Sequence, residues 1–480
     1  MSKRQPSTLS LGTDSVGSLL VRYATPAIIA MASSSLYHII DSIFVGHGVG
    51  GAAIAGMAIT MPIMNIASAF GAMVGVGAAA RMSIRLGEGN LHAAEKTLGN
   101  AILLNLVIGA IITLTMFTLL DEILVLFSGG EAAPETIAYA HDFMTIIMIG
   151  NIVQHMYLGL NEQIRASGYP RKSMLIIMTA VGINLILNPL FIFKFGWGIR
   201  GSAAATVMSQ FIAFLITASH FCSKSSFVRL RRSALHFDKK IVWAIISIGL
   251  APFLVNICAS MVAAFVNTAL LRFGGSGSMD VVQGSNGNIG DIYVGAYGIA
   301  NRVVLLLIMV IQGLNQGMQP IVGYNYGAKK YDRVRRALYT TIACGVAIAS
   351  VGWVLGQTIP STIAGMFVDG TNSKEEQLMI QAATQALRTI IIMMPLVGYQ
   401  IVAAGFFQYI GHAKLAIFMS ITRQLLFLLP LLWTLPRVLG AFGVWVSMPI
   451  ADCASIILAT IFLISEVRKL KSKSLAQSLR

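Results

Sequence analysis

Long apolar runs separated by short polar breaks dominate the chain. They fall at 22–45, 53–80, 97–119, 136–160, 173–193 and 199–221, and then, after a basic break, at 241–271, 293–320, 336–356, 379–407, 415–434 and 440–465. A helix needs about 20 apolar residues to cross a bilayer, and every run reaches that length. The pattern predicts an all-α membrane protein of twelve transmembrane helices.

Composition agrees. Of 480 residues, 56% are hydrophobic and only 11% charged, with a mean hydropathy of +0.76, whereas soluble domains carry about 25% charged residues. A net charge of +15 would suggest nucleic acid in a soluble protein. Here it fits loops that face anionic lipid, and no nucleic-acid partner is expected. With both ends and every second loop on one side, 25 of the 34 Lys and Arg fall there, five fall opposite, and four (Arg22, Arg302, Arg388, Arg423) lie in or beside apolar runs. The positive-inside rule therefore puts both termini in the cytoplasm. Cys222, Cys258, Cys344 and Cys453 show neither a disulfide framework nor metal-ligand spacing. Residues Met1–Ser18 are polar and basic and read as no cleaved signal peptide.

The chain repeats itself. Leu86–Leu98 parallels Tyr326–Leu338 at an offset of 240, and Thr25-Pro26 parallels Ala251-Pro252 at 226. The Gly/Ser/Asn-rich insert Gly274–Gly290 absorbs the difference and reads as a mobile outer loop without assigned function. The expected layout is an N-terminal six-helix bundle (1–221), a basic linker (222–240), a C-terminal six-helix bundle (241–465) and a basic tail (466–480). An even number of helices per half makes both insert the same way, so their pseudo-two-fold axis runs along the membrane normal. The linker is long enough to let two bundles rock, or it is a plain connector.

Asp41 closes the first apolar run as its one acid. A carboxylate at mid-membrane depth costs roughly 2.5–3.5 kcal/mol on insertion scales, so it marks a functional candidate. The alternative is a solvated residue near the membrane edge. Pro26 and Pro252 interrupt equivalent helices, and paired interruptions point to transporter sites, although kinks are ordinary in membrane helices. Tyr37 and His38 lie within a turn of Asp41; His38 is a candidate proton relay or a helix contact. Tyr139 is a cavity candidate or an interfacial anchor, and Gln154 and His155 line a cavity or pack. Arg302, Arg388, Arg423 and Asp452 are ionisable groups of the C half. Arg423 and Asp452 are candidates for a structural ion pair, and snorkelling to an interface accounts equally for any one arginine. The methionines Met31, Met57, Met61, Met64 and Met73 suit an adaptable surface or a packed core.

Four motifs in register carry a family resemblance: Asp41-Ser42-Ile43-Phe44-Val45-Gly46, Asn184 to Ile192, Met318-Gln319-Pro320 to Ala328, and Arg423-Gln424 to Leu432. Over about 20–465 the chain resembles the multidrug and toxic compound extrusion (MATE) family, especially its DinF/MepA-like bacterial branch. The resemblance implies export of amphipathic, often cationic, compounds from a bacterial cytoplasmic membrane. It also implies alternating access driven by H⁺ or Na⁺, a monomer, and no cofactor. Asp41 matches the coupling acid of helix one, Asn184 an amide of helix five and Thr206 a hydroxyl of helix six. Asn188 stands where the family usually has Asp before Pro, which removes a charge and favours a single proton over Na⁺. Asn184 and Asn188 share one helix face, and either also suits interhelical hydrogen bonding. Thr206 lies in a small-residue stretch suited to close packing. The rival readings are a lipid-linked oligosaccharide flippase of the same superfamily, which calls for a cationic cavity, and a membrane-embedded enzyme. No phosphate loop, zinc motif or nucleophile elbow supports the enzyme.

Overall fold

The computed structural model describes residues 10–128, 133–224, 226–273, 289–367 and 374–478. The insert, but for its last two residues, and the side chains of Tyr37 and His38 lie outside the described residues. Among these residues there are helices, turns and no strand. The chain is an all-helical, multi-pass membrane protein.

The N half contributes α1 (Val16–Gly48), α2 (Gly51–Gly87), α3 (Leu91–Thr118), α4 (Pro134–Ala166), α5 (Pro170–Pro189) and α6 (Gly198–Cys222). The C half contributes α7 (Lys239–Phe273), α8 (Ile289–Gly327), α9 (Tyr331–Thr358) and α10 (Lys374–Ile390 with Met394–Tyr409). Ala413–Gln477 then runs as 65 helical residues, about 98 Å at 1.5 Å per residue, where one crossing takes about 30 Å. Gly440, at φ 60 and ψ −142, breaks it in two, giving α11 (413–439) and α12 (441–477). Among the described residues eleven helices are long and apolar enough to cross a membrane, and they are therefore the twelve expected runs, the last two being joined.

The halves meet at the end carrying the basic loops. Gly87 packs on the Tyr324 carbonyl and the Ala328 amide, and Gly327 packs on the Ile84 carbonyl and the Glu88 amide. Residues 84, 87 and 88 are the repeat equivalents of 324, 327 and 328. The contact is thus self-complementary, as at a two-fold interface, and the pseudo-two-fold axis runs through it. A Cβ on either glycine would collide with backbone. Gly77 and Gly249 approach the Ile245 and Met73 carbonyls in the same way, and Gly313 and Gly317 sit on Ile28 and Ala24. Lipid offers no hydrophobic drive between helices, so small residues that let backbones touch supply the packing.

Two helices change partners along their length. The first turns of α1 (Leu19, Leu20, Tyr23) bury among C-half residues Leu314, Met318, Val334 and Phe406. Its far end, at Val45, packs with Met57, Phe143 and Ile192 of the N half. Reciprocally, Ile241, Val242 and Ile245 of α7 pack on Val74, Ala78 and Leu104, while Val266 and Leu270 join Tyr293, Leu387 and Trp445. A buried polar lock reinforces the shut end. Arg165, only 4% exposed, pairs with Glu162 and donates through Nη1 to Gln316 Oε1 at 2.9 Å and through Nη2 to Gln319 Oε1 at 3.4 Å. Counted by sequence among the loop cations, Arg165 is instead an interface residue.

The linker is docked rather than loose. Asn100 donates to the His236 carbonyl at 3.0 Å and accepts from the Asp238 amide at 2.8 Å, and Arg231 reaches the buried Glu95 at 3.1 Å. These bonds pin residues 231–238 to α3.

Candidate functional site

Pro189 ends α5, because a proline carries no amide hydrogen for the helical ladder. A π-helical turn, Leu190–Lys194, follows, and the chain reverses through Gly196 and Gly198, both in the left-handed region (φ 67 and 55). The rings of Phe191, Phe195 and Trp197 lie within 5.1–5.7 Å of one another at the bend, Phe191 and Phe195 stacked and Trp197 tilted against both. Gly201 lets α6 lie against Phe191 at this bend. The hairpin is thereby held close, with α5 and α6 antiparallel.

Antiparallel register then pairs side chains in two layers. Asn188 Nδ2 and Ser202 Oγ both donate to Asp41 Oδ1, the latter at 2.8 Å. One turn deeper, Asn184 Nδ2 donates to Thr206 Oγ1 at 3.3 Å. Asp41 is 5% exposed, and Asn184, Asn188, Ser202 and Thr206 are all 3% exposed or less. The carbonyl oxygens Asn184 Oδ1 and Asn188 Oδ1 are buried without a hydrogen-bond partner. Such orphan acceptors normally find one. Three elements therefore converge on a buried carboxylate whose partners among the described residues are neutral.

The donor set is all oxygen beyond the amide nitrogens, which suits a proton or a hard cation rather than a soft metal. Among the described residues no group of three or more His, Cys, Asp or Glu assembles, and the four cysteines are free. Asp41 and Asn188 can exchange a proton-dependent bond. The Asn188 amide donates to a carboxylate, and turned over it accepts from a carboxylic acid.

Of the other candidates whose side chains are described, none joins this group. Pro26 lies fifteen residues from Asp41, about 22 Å along α1, buried where α1 leans on the C half. Tyr139 packs beside Gly56 and is half-buried. Gln154 donates to Ser68 Oγ at 3.0 Å within the N half. His155 is fully buried beside Gly71. In the C half, Arg423 Nε sits 2.5 Å from Asp452 Oδ1, the ion pair expected from sequence. Ser202 is the site residue that the sequence reading passed over. It stands four residues before Thr206, on the same helix face, and that spacing mirrors Asn184 and Asn188 on the neighbouring helix.

The chain matches the MatE family model over residues 26–190 and 279–434. It is 24% identical over 449 residues to the multidrug export protein MepA of Staphylococcus aureus (strain N315), spanning 93% of this chain and 94% of that protein. The MepA protein of Staphylococcus haemolyticus (strain JCSC1435) is 26% identical over 455 residues, 95% and 94% of the two chains. A solved outward-facing structure of a multidrug resistance MATE family transporter of the MOP superfamily shares the fold. Its TM-score is 0.87 at 22% identity, over 98% of this chain and all of that one. Matched along both halves of its repeat, the chain belongs to the MatE family.

Proposed function

We propose that this protein is a secondary active exporter of amphipathic, often cationic, compounds, driven by inward H⁺ or Na⁺ at Asp41. The observation that carries the reading is a buried carboxylate whose partners among the described residues are an amide and a hydroxyl. Buried charge must be paired or neutralised, and among the described residues no fixed cation does it. Protonation or a bound Na⁺ are the two ways left. A proton needs only Asp41 and a turn of the Asn188 amide. For Na⁺, Asp41, the Asn184 and Asn188 carbonyls and the Thr206 hydroxyl supply oxygens. Asn188 contributes no charge, and that favours H⁺.

The multidrug export named for the MepA relatives supports the substrate class. By the positive-inside rule the basic end is cytoplasmic, with both termini there. The seam then closes the cytoplasmic side, and this conformer faces outward. Alternating access opens that seam as the bundles 1–221 and 241–465 rock, and the linker, held on α3, travels with the N half. Binding at Asp41 changes the bonds that tie α1 to α5 and α6. Because α1 also leans on the C half, a shift there is felt at the seam.

Ethidium efflux from membrane vesicles under an imposed pH gradient tests the reading. Wild type should export, and Asp41→Asn, at equal expression, should not. Undiminished pH-driven efflux in the variant would remove Asp41 as the proton site. No wild-type efflux under either a pH or a Na⁺ gradient would sink the exporter.

A further inference from the structure

Among the described residues, two arginines in apolar spans pair with no acid, Arg302 on α8 and Arg388 on α10, and Arg302 is the one whose helix face is fixed by contacts across the bundles. Arg302 on α8 is exposed and pairs with no described acid, whereas Arg423 has Asp452 and Arg165 has Glu162. It lies ten residues into the span that begins at Ile292, about 15 Å along the helix. Intramembrane arginines face a bundle interior or a watery cavity and mark ligand paths.

Helical phase says which way Arg302 faces. On α8, Gly317 and Gly313 pack on Ala24 and Ile28 of α1, and Met309 receives a bond from Ser35. Residues 302, 306, 309, 313 and 317 are spaced three or four apart, so they form one stripe. Arg302 and Leu306 continue the face that touches α1 at the seam, but beyond the seam, where Leu306 is 65% exposed. Antiparallel register makes Arg302 level with Ser42, two turns past Ser35 and beside Asp41. One turn further out, a Cβ on Gly298 would meet nothing within 4 Å. By this phase Arg302 lies on the α8 face turned between the bundles, and nearer the seam the same helices bring together Met31, Met309 and the Phe70–Phe253 ring contact at 4.6 Å, the floor of the cleft.

We propose that Arg302 is an anion-reading residue of the interbundle cleft, so that the favoured ligands are amphiphiles bearing a carboxylate, phosphate or sulfonate beside their cationic group. The proposal rests on the exporter reading and narrows its substrate class. A guanidinium offers a planar fork of donors that suits such anions. Leu306 and the methionines of the floor give the apolar body a wall. The anion belongs either to a soluble compound or to a lipid headgroup, and the chemistry of recognition is common to both.

The test uses the purified full-length protein in detergent and needs no ion gradient. Fluorescence polarisation reads the affinities of a cationic rhodamine ester and of the zwitterionic free acid of the same ring system. Wild type should favour the free acid. Arg302→Gln should move the affinity ratio about tenfold toward the ester, the loss of one charge-assisted contact, and Arg302→Lys should recover most of that shift. An unmoved ratio in Arg302→Gln, or an equal shift in Arg302→Lys, overturns the proposal and leaves the exporter standing. A wild type that binds neither dye sinks the exporter reading and this inference with it. Short-chain phosphatidylcholine resolves the source. Displacing the free acid from wild type but not displacing the dye from Arg302→Gln assigns the anion to a headgroup, and no displacement from wild type assigns it to soluble compounds.

Discussion

Both halves bury a carboxylate at a pair of adjacent helices, and both pairs carry a π-helical turn, Leu190–Lys194 in one and Thr422–Leu428 in the other. The resemblance stops at the partners. Asp452 is held by the Arg423 guanidinium at 2.5 Å, while Asp41 has an amide and a hydroxyl. A carboxylate with a fixed cation is already neutralised and has little reason to change its state. One with neutral partners must take up and release its counter-charge. The same residue type is thus a strut in the C bundle and a candidate switch in the N bundle, and the difference lies in a single neighbouring guanidinium.

The sharpest way to break the contrast is on the C side. Arg423→Ala strands a buried carboxylate and should cost about 3–5 kcal/mol of stability, whereas replacing both partners by Met and Leu should come close to neutral. Reversible unfolding in mixed micelles measures both. On the N side, Asn188→Leu removes one donor from Asp41 and should cost about 1–3 kcal/mol in the same assay. Ser202→Ala removes the other small donor and should cost about 1 kcal/mol, with a slower ion-driven efflux. The smallest change in stability, within about 0.5 kcal/mol, is expected for Asp41→Asn, because Asn keeps the shape and an acceptor oxygen. Its efflux should nonetheless be abolished. A large loss of stability in Asp41→Asn together with a trivial one in Arg423→Ala would reverse the assignment of strut and switch.

The twelve crossings were legible because hydrophobic length survives any packing. Only Gly440 blurred the count, since the helix resumes on both sides of one left-handed residue. The convergence of Asp41, Asn184, Asn188 and Thr206 was legible from motif register, but Ser202 was not. A serine among alanines and glycines reads as packing, and its neighbour across the hairpin is invisible until the Pro189 bend sets the antiparallel register. Arg165 was hidden for another reason. It sits where loop cations sit in the chain, and only the leaning of α1 and α7 onto the opposite halves closes the interface that covers it. The linker residues His236 and Asp238 look solvated in sequence, yet their backbone belongs to Asn100.

The glycine contact at the axis has a consequence for origin. Since Gly87 meets the Tyr324 turn as Gly327 meets the Ile84 turn, a half-length chain with one such turn would meet a second copy of itself in the same way. An ancestral homodimer could close this end with a single sequence and no divergence. The unlike carboxylates of the two bundles need two separate sequences, which one chain carrying both halves provides and a homodimer of identical halves does not.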